Sequence, residues 1–472
     1  MKNNLRENYH ILPNGMKVLF VNEKKYKTSS IFLIINGGSI YENKNTAGFF
    51  HILEHTLFNS SKSMNKEKRD EAFRKLGAQY NGGTGNTSVE FIITCPSCNT
   101  DKVFALFYNM LFFPNFDKCE FETEVGAILS ERENLISEPF YILQEETKKN
   151  IYKFSNKNSI HPYSNTIIGT EESIKSATPS KIRKLYNKFF KPSNMVLTIV
   201  GSNFDEDKII ENLLEIKDQD YSFTNDELNN LIKKCDNTIY KTGFKFIPRE
   251  DKNSISILIS SKNPKLVYND DQVAYWTKLD NTNNPYLHDL FTYWLGEDNF
   301  SVLHKLFRNE QGFVYAINSM PIYNRFVHFN QIVTDIPYNK VKNFLQSFRQ
   351  FIYNDYKFHK PINKKEFDDL IKCIKYQKDF IYYRTDIEAK NLALQIFENH
   401  INLKEILSLE ERYKRLDKIT LKEFNEFIDF HFNLNTKEPF SCFIAAIGTS
   451  KAESIIEKEI EIAKFNKESR FQ

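Results

Sequence analysis

The sequence predicts an α+β protein built from two duplicated domains, and three observations carry that expectation. The first is a frame that occurs twice. Thr178 opens a helical pattern with Ile182, Leu185, Tyr186, Phe189 and Phe190 on one face, followed by Pro192 and an apolar strand over 195–200 that ends at Gly201. Thr420 opens the same order, with Phe424, Phe427, Ile428, His431 and Phe432 before a strand over 442–447 that ends at Gly448. A recurring frame of this kind marks repeated architecture. The second is a hairpin signal near the start, Asn14-Gly15 between two apolar runs. The third is the length: 472 residues exceed what one ordinary core organises. On this frame the N-terminal domain covers residues 1–217 and the C-terminal domain 238–472. The charged, Asn-rich stretch 218–237 suits a linker.

Composition narrows the function classes. A hydrophobic fraction of 41% with 26% charged residues is that of a globular chain, and 42 Phe and 24 Tyr can fill large cores. The formal net charge of +3 demands neither nucleic acid nor an acidic membrane surface as a partner. There is no apolar h-region before the Pro13-Asn14-Gly15 turn and no apolar run long enough to span a bilayer, so the expected location is the cytoplasm, with no membrane partner. Six scattered cysteines do not form a disulfide framework. Cys95-Pro96-Ser97-Cys98 has the spacing of a redox pair or half a zinc site, but with no second such pair it reads as structurally incidental.

Along the chain, a third strand over 30–35 ends at Gly37-Gly38-Ser39, and a helix follows over 46–58. Another helix includes 73–76, and then a Gly-, Asn- and Thr-rich stretch over 77–87 leads into a strand over 89–94. That stretch lacks the spacing of a phosphate-binding loop. Residues 101–112 have a helical period broken by Pro114, and a further helix runs over about 121–135.

The helix over 46–58 carries His51, Glu54 and His55 in the order H-x-x-E-H. Residues three and four apart share a helix face. Two imidazoles so placed can grip one zinc ion, and the carboxylate beside them can take a proton from water. A structural reading of histidines on an apolar face explains neither the pair nor the glutamate between them. In the helix over 121–135, Glu124 and Glu131 lie seven residues apart on the stripe of Ile128, which is the stripe that should face the core. A carboxylate aimed there needs a cation or hydrogen-bond donors. Glu131 is therefore the natural third ligand, and Glu124 a supporting carboxylate that orients a ligand imidazole. The second copy holds Leu370 and Gln377 at the matching positions and no second H-x-x-E-H, so it is expected to be metal-free and to serve substrate binding or assembly.

Taken together, these motifs resemble the inverted-motif zinc peptidases, the group of pitrilysin, insulin-degrading enzyme and mitochondrial processing peptidase. The resemblance runs through Leu12-Pro13-Asn14-Gly15, Gly38-Ser39 with Glu42, and Gly48 to Phe58. It continues through Glu124 and Glu131, His161-Pro162-Tyr163 and Gly169-Thr170-Glu171, with 76 residues separating His55 from Glu131. It implies the processing peptidase/LuxS-like metallohydrolase fold, an antiparallel-rich sheet covered by helices in each domain. It implies one zinc per chain on His51, His55 and Glu131, Glu54 as general base and Glu124 in support. In that mechanism zinc polarises the scissile carbonyl and Glu54 carries the water proton to the leaving amine. The family's edge segment is matched by Asn81, Gly82 and Thr84, onto which a peptide substrate would add as a strand. Gly82 stands where alanine is usual and Phe91 where tyrosine is common, which implies altered side-chain preference; Asn81 alone reads equally as a turn residue. In the second domain Arg308 and Tyr315 resemble the family's oxyanion-stabilising pair.

The resemblance also implies a dimer, either a homodimer or a heterodimer with a homologous subunit, whose partner chain completes each site and closes a chamber around unfolded peptides. The expected activity is that of a zinc-dependent endopeptidase acting on unfolded peptides or leader segments. The alternative is a non-catalytic scaffold or partner subunit of a heterodimeric processing peptidase. Such subunits typically lose members of the site, whereas His51, Glu54, His55, Glu131, Arg308 and Tyr315 are all present here.

Overall fold

The computed structural model describes residues 5, 8–154, 161–216, 238–240, 243–262, 285–324, 327–353, 362–381, 384–398, 406–432 and 442–465. The linker expected over 218–237 lies outside them. The chain forms two compact units, one of Met1–Asn134, Pro162–Asp236 and Gln377–Glu411, the other of Leu135–His161, Asn237–Tyr376 and Arg412–Gln472.

The first unit is built on a six-stranded sheet. Its strands are β1 (Tyr9–Ile11), β2 (Lys17–Asn22), β3 (Thr28–Asn36), β4 (Gln79–Thr84), β5 (Ser88–Pro96) and β7 (Met195–Gly201), in the order β1-β2-β7-β3-β5-β4. The β1–β2 hairpin turns at Gly15, whose φ of 84° is left-handed and open to glycine. Every pairing is antiparallel except β2 with β7. Strand β4 is the edge. The Gly-rich stretch expected ahead of the strand over 89–94 is thus itself a strand, paired with β5 and followed by a tight turn in which Gly85 N–H bonds the Ser88 carbonyl at 2.8 Å.

Helices of this unit include α1 (Phe49–Leu57), α2 (Lys66–Lys75), α3 (Thr100–Phe112), α4 (Lys118–Leu135), α6 (Glu171–Ser176), α7 (Pro179–Phe189) and α8 (Glu206–Leu214). Thr178 caps α7 by accepting from Lys181 N–H, and Pro179 occupies the first turn, where a missing N–H costs nothing. Helix α4 starts three residues earlier than its apolar period implies, because Asp117 Oδ1 accepts from Cys119 and Glu120 N–H at 2.8 and 3.0 Å. Helix α1 packs beside α7 through Phe50 and Phe189, whose rings lie 4.8 Å apart edge to face.

A helix from far down the chain covers part of the same sheet. Helix α12 (Thr385–Glu398) lies on β3 and β7, burying Ala389, Leu392, Ala393 and Ile396 against Leu19, Phe32, Ile34, Val196 and Val200. Thr385 Oγ1 meets Ser30 Oγ at 2.8 Å, and Thr198 Oγ1 donates to the Ala389 carbonyl at 2.7 Å. Leu392→Ala is expected to lower stability by about 2–5 kcal/mol, read from the urea midpoint; a loss below 1 kcal/mol would show that α12 contributes little to this core.

The second unit repeats the plan with a five-stranded sheet of β9 (Gly243–Pro248), β10 (Ser254–Lys262), β11 (Ile317–Asn324), β12 (Val327–Pro337) and β13 (Cys442–Gly448), ordered β11-β12-β10-β13-β9. Among the described residues its only parallel pair is β13 with β9. The match holds residue by residue. The cross-strand row Gly82, Phe91, Leu33, Leu197 of the first sheet corresponds to Ser319, Ile332, Ile259, Ile444 of the second. Helices α9 (Pro285–Thr292), α10 (Val341–Tyr353), α11 (Lys364–Ile381) and α14 (Leu421–His431) enclose a core of Ile255, Ile257, Ile259, Phe307, Phe344, Phe348, Phe424 and Phe427. Helix α5 (Pro139–Ile151), from the N-terminal half of the sequence, lies on β10 and β13. Further elements are the paired strands β6 (Tyr152–Phe154) and β8 (Thr238–Tyr240), helix α13 (Leu409–Leu416) and helix α15 (Glu453–Phe465). No helix of the described residues is long and apolar enough to cross a membrane.

Candidate metal centre

Helix α1 is held at both ends. At its N-terminus Gly48 turns with φ 85°, and a Cβ there would sit 2.7 Å from the Ile168 carbonyl oxygen, so only glycine lets these segments cross. The half-buried Glu42 carboxylate accepts from the N–H groups of Gly48 and Phe50 at 2.8 and 2.7 Å, satisfying donors that a helix start leaves unpaired. Burial raises its pKa to about 8, against the pull of those backbone donors. At the C-terminal end the buried Arg69 guanidinium donates to the carbonyls of Phe58 and Asn59, where a cation complements the helix dipole. Asp70 pairs with the same guanidinium at 2.8 Å and accepts from Tyr80 at 2.9 Å. Sequence reading missed Arg69 because it sits in the charged run Lys66 to Lys75, which looks like a solvated face.

So anchored, α1 buries Ile52 and Leu53 on one side and presents His51, Glu54 and His55 on another. Helix α4, seated by Phe121 and Ile128, brings Glu124 and Glu131 to them. Glu131 Oε2 lies 3.8 Å from His51 Nε2 and 3.5 Å from His55 Nε2. The ligand atoms of His51, His55 and Glu131 all fall within 4.8 Å of one another. Two donors bonded to one tetrahedral zinc stand about 3.4 Å apart. The donor set therefore fits that ion with small side-chain adjustments. Behind it, Glu124 Oε2 lies 3.2 Å from His55 Nδ1, and Lys66 Nζ holds the other Glu124 oxygen at 2.9 Å. A carboxylate in that place fixes the tautomer that leaves Nε2 for a metal.

Electrostatics separates the two imidazoles. Burial, then the nearby His55, lowers His51 to about 4, so its ring is neutral. Burial also acts to lower His55, but hydrogen bonds to Glu124 and Glu131 and the charge of Glu54 outweigh it and raise the pKa to about 9. The His55 hydrogen bond in turn lowers both Glu124 and Glu131. The metal-free protein thus carries a proton on His55 at pH 7 that a metal must displace. Zinc binding at pH 7 is expected to release about one proton, with apparent Kd rising about tenfold for each pH unit below 9. Titration calorimetry in two buffers of different ionisation enthalpy measures this; zero release would contradict the His55 assignment.

Glu54, buried beside the histidines, has its pKa raised by desolvation and pulled back by a hydrogen bond from Thr84. Thr84 Oγ1 donates to Glu54 Oε2 at 2.6 Å. Gly82, two residues back on the same face of β4, leaves no room for a side chain: a Cβ would lie 2.8 Å from Glu54 Oε1 and 2.8 Å from the Phe58 ring. A side chain at 82 would point at Glu54 and Phe58. Asn81 is exposed, and its Oδ1 accepts from Gly82 N–H at 2.9 Å. Arg308 and Tyr315 belong to the second unit. There the Arg308 guanidinium lies 5.0 Å from the centre of the Tyr315 ring and donates to Asn299 at 3.0 Å, with Tyr315 83% exposed. Of the positions matching Glu124 and Glu131, Leu370 packs against the apolar core of that unit.

The Cys95 thiol is buried and its pKa is pushed by desolvation to about 12, the opposite of a reactive thiolate; Cys98 is exposed.

The family model described as insulinase, peptidase family M16, matches residues 17–168, and that of the peptidase M16 inactive domain matches residues 176–372. The chain belongs to the peptidase M16 family. It is 27% identical over 208 residues to an uncharacterized zinc protease of Rickettsia felis, covering 44% of this chain and 49% of the relative. It is 26% identical over 202 residues to the zinc protease PqqE of Helicobacter pylori, covering 42% and 44%. A probable mitochondrial-processing peptidase subunit beta of Arabidopsis thaliana matches at 21% over 191 residues, covering 40% and 35%. These matches span less than half the length of each relative. Two solved structures share the fold at 16% identity. A protease from Helicobacter pylori has a TM-score of 0.71 over 93% of this chain and 98% of its own. A peptidase M16 inactive domain from Pseudomonas fluorescens has a TM-score of 0.75 over 94% and 98%. The M16 fold is thus shared over nearly the whole chain.

Proposed function

We propose that this M16 chain is a zinc endopeptidase that hydrolyses peptide bonds in unfolded peptides or leader segments. The observation that carries the reading is the convergence of His51, His55 and Glu131 donor atoms, with the Glu54 carboxylate on the same helix. Bound zinc would supply Lewis-acid polarisation of the scissile carbonyl and make water easier to deprotonate. Glu54 takes the proton of the attacking water and delivers it to the leaving amine. The substrate lies as an extended strand along the free edge of β4, held by backbone hydrogen bonds, which explains how a strand with two glycines can serve as a binding surface. Arg308 and Tyr315 of a second copy donate to the developing oxyanion, and the dimer encloses the peptide.

The test is direct. Incubation of the zinc-loaded chain with a library of unstructured peptides, read by mass spectrometry, is expected to show internal cleavage that a chelator stops and zinc restores. A chain that binds zinc and cuts none of them would instead support a scaffold role.

A further inference from the structure

The geometry points to Thr84 as the residue that positions the general base. This rests on the reading of Glu54 as that base. The resemblance of the edge segment places Thr84 among substrate contacts, yet its hydroxyl is spent on Glu54, donating to Oε2 at 2.6 Å. Glu54 Oε1 takes no part in that bond. It lies opposite Gly82, where a methyl group would come within 2.8 Å of it. The Phe58 ring on the other side of that gap is fixed, stacked 5.3 Å from Tyr80 and set edge-on 5.6 Å from Phe91. One face of β4 therefore does two things to one carboxylate: Thr84 holds one oxygen, and Gly82 leaves space for the other, the oxygen that takes the water proton.

The second unit provides an internal comparison. In the matched ladders Gly82 corresponds to Ser319 and Thr84 to Pro321, because Thr84 pairs with Val89 as Pro321 pairs with Asn330. That copy has no H-x-x-E-H glutamate, and at the threonine position it carries a residue with neither a hydroxyl nor an N–H. Ser319 has turned to another use, bonding the buried Asn330 side chain at 3.1 Å. The hydroxyl is present in the sheet that has a carboxylate to hold.

A hydrogen bond to a carboxylate shapes reactivity through geometry, so its loss should appear in turnover and not in binding. The experiment compares wild type, Thr84→Val and Thr84→Ser as zinc-loaded full chains on an unstructured peptide that the wild type cleaves. Thr84→Val is expected to lower kcat by about tenfold to a hundredfold with KM within twofold of wild type, and Thr84→Ser to recover most of that loss. Zinc content is expected to stay at the wild-type value in both. As a second readout, the dye-labelled peptide is titrated by anisotropy into Glu54→Gln and into Glu54→Gln/Thr84→Val; equal Kd values support a positioning role. A Kd or KM raised tenfold by Thr84→Val, or an unchanged kcat, overturns it in favour of a substrate contact or a bystander. Equal loss in the serine variant also overturns it. If the wild type cleaves no peptide, the peptidase reading itself fails and takes this role with it.

Discussion

Glu54→Gln is expected to lower kcat by about 10²–10⁴-fold while the protein keeps its zinc. The amide matches the carboxylate in shape and still offers an oxygen to the Thr84 hydroxyl, so the site loses its proton acceptor with little change in packing. His51, His55 and Glu131 are untouched, and the metal content should equal that of wild type. Single-turnover cleavage with elemental analysis of the same samples separates the two quantities. Undiminished cleavage would remove Glu54 from the chemistry. Equal loss of zinc would show that its effect is structural.

The second large effect concerns Arg308, proposed above as an oxyanion donor. Arg308→Ala is expected to reduce kcat about 10²–10³-fold, the scale of removing one transition-state donor. Mixing that variant with Glu54→Gln then asks which chain supplies Arg308. In a two-fold dimer whose sites combine Glu54 of one copy with Arg308 of the other, every mixed dimer contains one intact site. Random exchange makes half the dimers mixed, so the mixture should recover about a quarter of wild-type activity. If both residues act within one chain, mixing restores nothing. The exposed Tyr315 ring beside Arg308 should behave the same way when removed.

Much of the centre could be read from spacing because it lies on helices. On α1 the offsets of His51, Glu54 and His55 set their shared face, and on α4 the stripe through Glu124, Ile128 and Glu131 faces the core side as periodicity requires. The duplicated frame was equally visible, since Pro192, Gly201 and Gly448 punctuate strands that are nearly all apolar. What escaped was contact between segments with no common period. Arg69 clamps the end of α1 from a helix whose composition looks like a wet surface. Thr84 reaches Glu54 through the pleat of an edge strand, and only the alternation from Gly82 to Thr84 hinted that the two share a side. Nor does helical periodicity say which sheet a helix covers. Nothing within Thr385–Glu398 or Pro139–Ile151 marks either helix as belonging to the sheet formed by the other half of the chain.

That exchange of covering helices has a kinetic consequence. Thr28 and Thr385 touch across 357 residues of chain, so the first sheet waits for its cover until most of the protein has been made. At about 5–20 residues per second, synthesis leaves the completed face of Leu19, Phe32, Ile34 and Val196 without α12 for about 10–40 s. Loop closure over such a distance is slow beside local helix formation. A nascent chain in that interval displays an apolar sheet face of the kind that chaperones bind, and a message truncated before residue 385 would leave it displayed permanently.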